Sequence, residues 1–243
     1  MQYWALSDPG VVRTQNQDAY QVEKLDKNTL LCVVCDGMGG AKSGNVASKL
    51  ASEVFAQEVK NSWSPDLSAD RVEQILRGAM KLANFTVYDQ AQQFEDFSGM
   101  GTTLVALLLQ GRQATVVNVG DSRAYSITDN GIRQITTDHS LVQMMIDRGE
   151  LTKEKAKNYP GKNLITRAIG TEQQVECDVF SMDAEKDTCF LLCTDGLSNL
   201  MDDQEILFEV AHSQDRERCC ERLLDITKKR GAPDNVTSVL VVL

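Results

Sequence analysis

The stretch LLCVVCDGMGG, residues 30–40, decides how the rest of the chain is read. Six apolar residues run without a break, as in a strand. The run then meets Asp36, and three glycines follow within four positions. A strand core gains nothing from a carboxylate, so Asp36 needs a partner.

The same arrangement recurs. ATVVNVGDSRAY (114–125) carries Asp121 and FLLCTDGLSNL (190–200) carries Asp195, each where an apolar run stops beside glycine or serine. Asp234 stands just before the last strand-like run, in GAPDNVTSVLVVL, and Asp18 just before an early strand, in RTQNQDAY. One such aspartate is ordinary turn chemistry. Five at strand ends suggest carboxylates gathered at one edge of a sheet, where mutual repulsion and desolvation call for a hard cation. With only His139 and His212 in the chain, and neither in the pattern, an all-oxygen ligand set favours Mg²⁺ or Mn²⁺ over zinc. Two such ions about 4 Å apart form a hydrolytic centre for phosphate esters. Arg13, five residues before Asp18, is a candidate to grip phosphate through its guanidinium fork.

Around these positions the periodicity predicts strands at Tyr3–Leu6, Tyr20–Leu25, Leu30–Cys35, Thr103–Leu109, Ala114–Val119, Arg123–Thr128, Ile132–Thr136, Val175–Met182, Thr188–Thr194 and Val236–Val242. Helices are expected over 43–60, with Ser43 as cap and Val46, Leu50 and Val54 at i, i+4, i+8 with Phe55 beside them, and over Asp70–Gln93, capped by Ser68 and striped by Val72, Ile75, Leu76, Ala79 and Ala83. Two more are expected at Asp203–His212 and Arg216–Lys229, the latter closed by Gly231. Asn130-Gly131 predicts a tight hairpin. Strands do not alternate with helices, so the fold class is α+β: antiparallel sheets with helices packed outside.

Composition narrows the function. The 243 residues hold 25 Lys+Arg against 35 Asp+Glu, a net charge of −10, which argues against nucleic acid as a partner. No run is long enough to span a membrane, and the N-terminus lacks the pattern of a signal peptide. Seven cysteines, including a Cys32/Cys35 pair and adjacent Cys219-Cys220, fit reduced thiols in a cytoplasmic protein.

VVRTQNQDAY (11–20), VVCDGMGG (33–40), MGTTLVALLL (100–109), VNVGDSRAY (117–125), ITTDHSLVQ (135–143), NLITRAIG (163–170), LLCTDGLSNL (191–200) and DNVTSVLV (234–241) together resemble the metal-dependent serine/threonine protein phosphatases of the PPM, or type 2C, family, its compact bacterial members in particular. The resemblance implies one domain over 1–243, a four-layer α-β-β-α sandwich, and a mobile flap over about 141–164. It implies that Asp36 bridges two Mn²⁺ or Mg²⁺ ions and that the Gly37 carbonyl binds one of them. Asp195 and Asp234 would complete the other, and Asp121 with Asp195 would hold a weaker third. Asp18 would orient water and Arg13 would bind substrate phosphate. The MGTT and DHS matches are taken as structural, with His139 a packing or hydrogen-bonding residue. The implied substrates are phosphoproteins, a Ser/Thr kinase among them, met by a monomer in the cytoplasm, without nucleic acid or membrane.

One departure stands out. Many family members place a histidine after DGMGG as a candidate general acid, and here the position is Ala41, followed by Lys42; Asn45 stands where glutamate is frequent. Three alternatives therefore stay open: a pseudophosphatase that docks phosphoproteins without cleaving them, a two-metal nuclease, and a phosphatase devoted to one regulatory phosphoprotein.

Overall fold

The computed structural model describes residues 1–39, 43–156, 159–211 and 215–243. Ala41, Lys42 and His212 lie outside the described residues, as do Gly40, Lys157 and Asn158. Among the described residues eleven strands form two sheets, every pairing antiparallel. The first sheet runs β2 (Asp18–Lys24), β3 (Thr29–Met38), β5 (Leu104–Gln110), β6 (Gln113–Val119), β9 (Asp178–Asp183), with two-residue β4 (Gly101–Thr102) paired to the end of β3. The second runs β1 (Gln2–Asp8), β11 (Val236–Val242), β10 (Cys189–Cys193), β7 (Arg123–Thr128), β8 (Gly131–Gln134).

Alternation along β3 explains the uninterrupted apolar run. Leu30, Cys32 and Val34 face the second sheet and pack with Phe190, Leu192, Val239 and Val241. Leu31, Val33 and Cys35 face the other way, against helices α1 (Gly44–Ser62) and α2 (Ala69–Gln93). Both faces are buried, so both must be apolar. The outer face of the second sheet is covered by α5 (Asp195–Ser198), α6 (Asp203–Ala211) and α7 (Cys219–Lys229), through Leu197, Ile206, Val210 and Leu223. The result is the expected α-β-β-α sandwich. Each fully buried leucine or valine contributes about 1.5–3 kcal/mol through removal from water. The geometry also separates Cys32 from Cys35: three apart in a strand, they point into different cores. All seven cysteines are free.

Several expectations are corrected. The buried face of α1 is Ala47, Ala51, Phe55 and Val59 with Ser48 and Ser52. Val46, Leu50 and Val54 are only partly covered. Ala47 and Ala51 let the first half of α1 lie close to its neighbours, Phe55 and Val59 fill the core further along, and Val46, Leu50 and Val54 fall on its flank. Ser43 holds the N-cap position of α1 but makes no side-chain capping bond. Ser68 does cap α2, accepting from the Arg71 amide. β9 begins at Asp178, later than Val175, because its pairing with β6 starts at Asn118; the Cys177 carbonyl just before it accepts from Arg77 Nη1 at 2.8 Å. α7 begins at Cys219. The hairpin between β7 and β8 forms as expected, but its turn is Asp129-Asn130: Gly131 already pairs with Thr128, β8 starts there and not at Ile132, and of Asn130 and Gly131 only Gly131 has a positive φ. Between Ser140 and Leu164 two short helices, α3 (Leu141–Asp147) and α4 (Lys153–Ala156), stand off the second sheet.

Candidate metal centre

The end of the sandwich where β3 stops gathers the aspartates. Asp18 opens β2 and is the register partner of Asp36. Asp36 lies inside β3, two residues before its end, because the strand continues by pairing Gly37 and Met38 with β4. Its backbone is bracketed. The amide donates to Thr103 Oγ1 at 2.9 Å. The carbonyl accepts from the Thr103 amide and from Thr102 Oγ1, both at 2.8 Å. Thr103 Oγ1 also meets Ser122 Oγ at 2.7 Å. The MGTT stretch thus fixes Asp36 and the neighbour of Asp121 together.

The second sheet supplies Asp195 and Asp234. β10 ends at Cys193, and Asp195 opens the four-residue helix α5 and so lies past the strand. Thr194 and Thr237 tie the strand ends: the Thr237 amide donates to Thr194 Oγ1 at 3.0 Å and the Thr194 amide to the Thr237 carbonyl at 3.1 Å. Both hydroxyls donate to Asp18 Oδ2, at 2.9 and 2.7 Å. A carboxylate from the first sheet is therefore bonded to two threonines of the second. Asp18 Oδ1 is buried and has no hydrogen-bond partner among the described residues.

Asp195 Oδ2 accepts from Asn199 Nδ2 at 2.9 Å, and Asp195 lies within hydrogen-bonding reach of Asp36. Asp234 Oδ1 accepts from the Asn235 amide at 2.9 Å and Oδ2 from Arg13 Nη2 at 3.0 Å. Arg13 is thus brought to the edge of the cluster, exposed, with its guanidinium on Asp234. Its loop is held by Asn235, whose Oδ1 accepts from the Gln17 amide at 2.8 Å and whose Nδ2 donates to the Pro9 and Gln15 carbonyls at 3.0 Å. Gly37 is required by packing. A Cβ there would sit 2.1 Å from the Gly44 carbonyl oxygen.

The electrostatics follow from this crowding. Burial is the main cause of every shift, and neighbouring carboxylates add to it. Asp18 is pushed up to about 7, with Asp195 and Asp234 repelling it against the pull of the two threonines. Asp121 is also raised to about 7, burial being reinforced by Asp195 and Asp138. Asp36 is held well above the carboxylate range, with Asp18 and Asp195 the strongest neighbours, and Asp195 is raised by burial and Asp234. Carboxylates so placed keep their protons or share a cation. Among the described residues no three acidic, histidine or cysteine side chains already close into a cage. A Mg²⁺-type ion needs none, because it retains several waters and takes only one or two carboxylates. The donor set and the orphaned Asp18 oxygen therefore fit hydrated hard cations.

A cleft of about 770 Å³ leads outward from Asp121 and Asp195 between the 140–163 segment, with Lys153 and Lys162, and the start of α6, with Asp203. Sequence reasoning found the aspartates but missed their supports: Thr194, Thr237 and Asn235. The available signal was a hydroxyl or amide side chain within three positions of Asp195 and Asp234.

A sequence model of protein phosphatase 2C matches residues 11–240. The chain belongs to the protein phosphatase 2C family. The serine/threonine phosphatase stp of Listeria monocytogenes is 35% identical over 235 residues, covering 97% of this chain and 93% of its own length. PstP of Mycobacterium tuberculosis is 35% identical over 240 residues, 99% of this chain but 44% of PstP. Among solved structures, Stp1 from Staphylococcus aureus superposes with a TM-score of 0.93 at 34% identity, covering 99% of this chain and 94% of that one. The catalytic domain of PstP in complex with two manganese ions gives 0.85 at 33%, covering 100% and 98%. The two-sheet sandwich described above is thus that of the bacterial members of the protein phosphatase 2C family.

Proposed function

We propose that this chain hydrolyses phosphoserine and phosphothreonine esters in proteins, with Asp36, the Gly37 carbonyl, Asp195 and Asp234 holding two Mn²⁺ or Mg²⁺ ions. The observation that carries this reading is the convergence of carboxylates from both sheets on one point, in a chain of the phosphatase 2C family. Its homologues bear serine/threonine phosphatase names, and one related structure contains two manganese ions. Bound cations supply positive charge that neutralises the cluster and brings the pKa of water toward neutrality.

The chain's own groups do the rest. Asp36, paired with Asp18, interacting with Asp195 and fixed by Thr102 and Thr103, would be the carboxylate that the two ions share. Asp18 anchors through Oδ2 and keeps Oδ1 free, so Oδ1 accepts a hydrogen from the attacking water and aims its lone pair at phosphorus. Arg13 exchanges Asp234 for the non-bridging phosphate oxygens, which offer a bidentate partner. Asp121, sharing the cleft with Asp195, holds a third and weaker cation. Residues 1–243 act as one catalytic unit, with 141–164 as a flap beside the cleft that carries substrate polypeptide. We place its substrates among phosphoproteins, including a Ser/Thr kinase, in the cytoplasm and with the enzyme as a monomer. The acidic composition and unpaired cysteines agree with this, and no described helix is long and apolar enough to cross a membrane.

Turnover of phosphoserine and phosphothreonine peptides with and without Mn²⁺, on wild type and Asp36→Asn, tests the proposal. Mn²⁺-dependent release of phosphate by wild type alone is expected. Phosphopeptide binding without turnover would instead support a pseudophosphatase, and nicking of plasmid DNA a nuclease.

A further inference from the structure

The DHS motif at 138–140 is not used by the chemistry above, yet it grips both sides of Asp121. On one side, the His139 amide donates to the Gly120 carbonyl at 2.9 Å, and the Gly120 amide donates back to His139 Nδ1 at 3.1 Å. On the other, Asp138 takes Arg123 in a fork, with Nε to Oδ1 at 3.0 Å and Nη2 to Oδ2 at 2.6 Å. Gly120 has a φ of +107°, and a Cβ on it would come within 2.5 Å of Thr103. The backbone that presents Asp121 is therefore pinned in a conformation that few residues adopt.

The imidazole tautomer follows from its partners. Gly120 N–H is a donor, so Nδ1 is bare and accepts. The ring proton sits on Nε2, which donates to Asp178 Oδ2 at 3.1 Å. Arg167 Nη1 donates to the other oxygen of Asp178, also at 3.1 Å, and stands 3.3 Å from Nε2, which carries the ring proton and so has no lone pair to offer it. The ring is buried and neutral, with burial holding its pKa below the ordinary histidine range. The same residue closes the neck of the 141–164 segment. The Thr166 amide donates to the His139 carbonyl at 2.7 Å, the Leu141 amide to the Leu164 carbonyl at 2.8 Å, and Ser140 bridges Ile165.

We infer that His139 is a positioning residue: through Gly120 it sets where Asp121 presents its carboxylate, and it joins that cation site to the neck of the 141–164 segment. The inference rests on the reading of Asp121 as ligand to the weaker cation. It places His139 outside the chemistry but inside the support of the ion. Groups that orient a metal ligand typically change affinity by about 10–100-fold when lost. Coupling of this kind is reciprocal, so a ligand that engages the segment and changes the affinity for the Asp121 cation is itself changed by that cation by the same factor.

Asparagine and glutamine separate the two roles of the ring. The side-chain oxygen of asparagine overlays Nδ1 and can accept from Gly120, whereas the glutamine amide overlays Nε2 and reaches Asp178 instead. Mn²⁺ is titrated calorimetrically into metal-free wild type, Asp121→Asn, His139→Asn and His139→Gln. Exchange of the Gly120 amide proton is followed by NMR in the same metal-free proteins. Asp121→Asn is expected to lose the weakest binding event. His139→Gln is expected to weaken that event about 10–100-fold, leave the two tighter ones alone, and expose the Gly120 amide. His139→Asn is expected to retain both. If Asp121→Asn loses the event and His139→Gln does not, the positioning role is wrong while the Asp121 reading stands. If Asp121→Asn titrates like wild type, the Asp121 reading fails and the inference falls with it. Equal weakening of all three events in both His139 variants overturns it too, because the ring would then act on the whole fold.

Discussion

Asp18 and Asp36 are direct partners across the antiparallel pair β2–β3, so two carboxylates that repel each other occupy one rung of a ladder. Folding the metal-free chain brings them together out of water. The folded state then holds protons that the unfolded chain would release. For Asp18 the folded value is about 7 against 3.8 unfolded. Its contribution to stability is fully present below 3.8 and is lost as pH rises through about 7. The metal-free protein should therefore lose thermal stability between pH 4 and 7, and Asp18→Asn should flatten that slope. At pH 7.5 the variant should melt a few degrees higher, since about 1 kcal/mol corresponds to roughly 2–4 °C at this chain length. Thermal denaturation in chelator across that range checks it. Parallel slopes for the two proteins would show that Asp18 does not carry the effect.

Cation binding should reverse the trend. An ion that binds only the folded state adds about 2.7 kcal/mol at 100 times its Kd. The Mn²⁺-induced rise in Tm should thus grow from pH 5.5 to 7.5, as the carboxylates give up protons to the ion. Asp36→Asn removes the bridging charge and should abolish most of the rise. An equal rise in the variant would place the ions elsewhere.

How far the sequence alone reaches is visible at these residues. Asp36, Asp121, Asp195 and Asp234 stand beside apolar runs, and such runs are legible because a strand buried on both faces has little polar room to spare; Asp18 opens the partly exposed β2, whose signal is weaker. What joins the runs is not. Nothing local says that Thr194 and Thr237, 43 positions apart, share Asp18, since strand pairing is a long-range property. The α2 stripe of Val72, Ile75, Leu76, Ala79 and Ala83 is buried as its spacing predicts, whereas the face of α1 departs from its pattern. Val46, Leu50 and Val54 have the right spacing, but the site of closest packing selects small residues, and Ala47 and Ala51 won. The DHS motif was recognisable as a match, but its grip on Gly120 depends on a ring nitrogen that only the fold brings near.

Asn235 offers a test of the loop that carries Arg13. It is buried and satisfies three backbone groups of residues 9–17. Truncation leaves those groups without their partner, at roughly 1–3 kcal/mol. Asn235→Ala should lower Tm by several degrees and raise KM for phosphopeptides, because Arg13 loses its fixed approach. Saturating Mn²⁺ should restore stability without restoring KM. Recovery of both together would mean that the loop matters only through the metal ligand Asp234.

Ala41 carries the last prediction. In this family a histidine often follows DGMGG, and this chain lacks an imidazole there. Proton donation to a leaving alkoxide is typically worth about 10²–10⁴-fold. A phosphoserine leaves as a poor alkoxide and needs that proton, whereas p-nitrophenolate leaves readily without it. Wild type should therefore show a large deficit on phosphoserine peptides relative to p-nitrophenyl phosphate. Ala41→His should narrow the gap by raising kcat on the peptide with little change on the phenyl ester. The gain should follow a pH profile that falls as the new imidazole loses its proton, because only the protonated ring donates. No change on either substrate would mean that water or another residue already supplies the proton, and that the family's acid is dispensable in this chain.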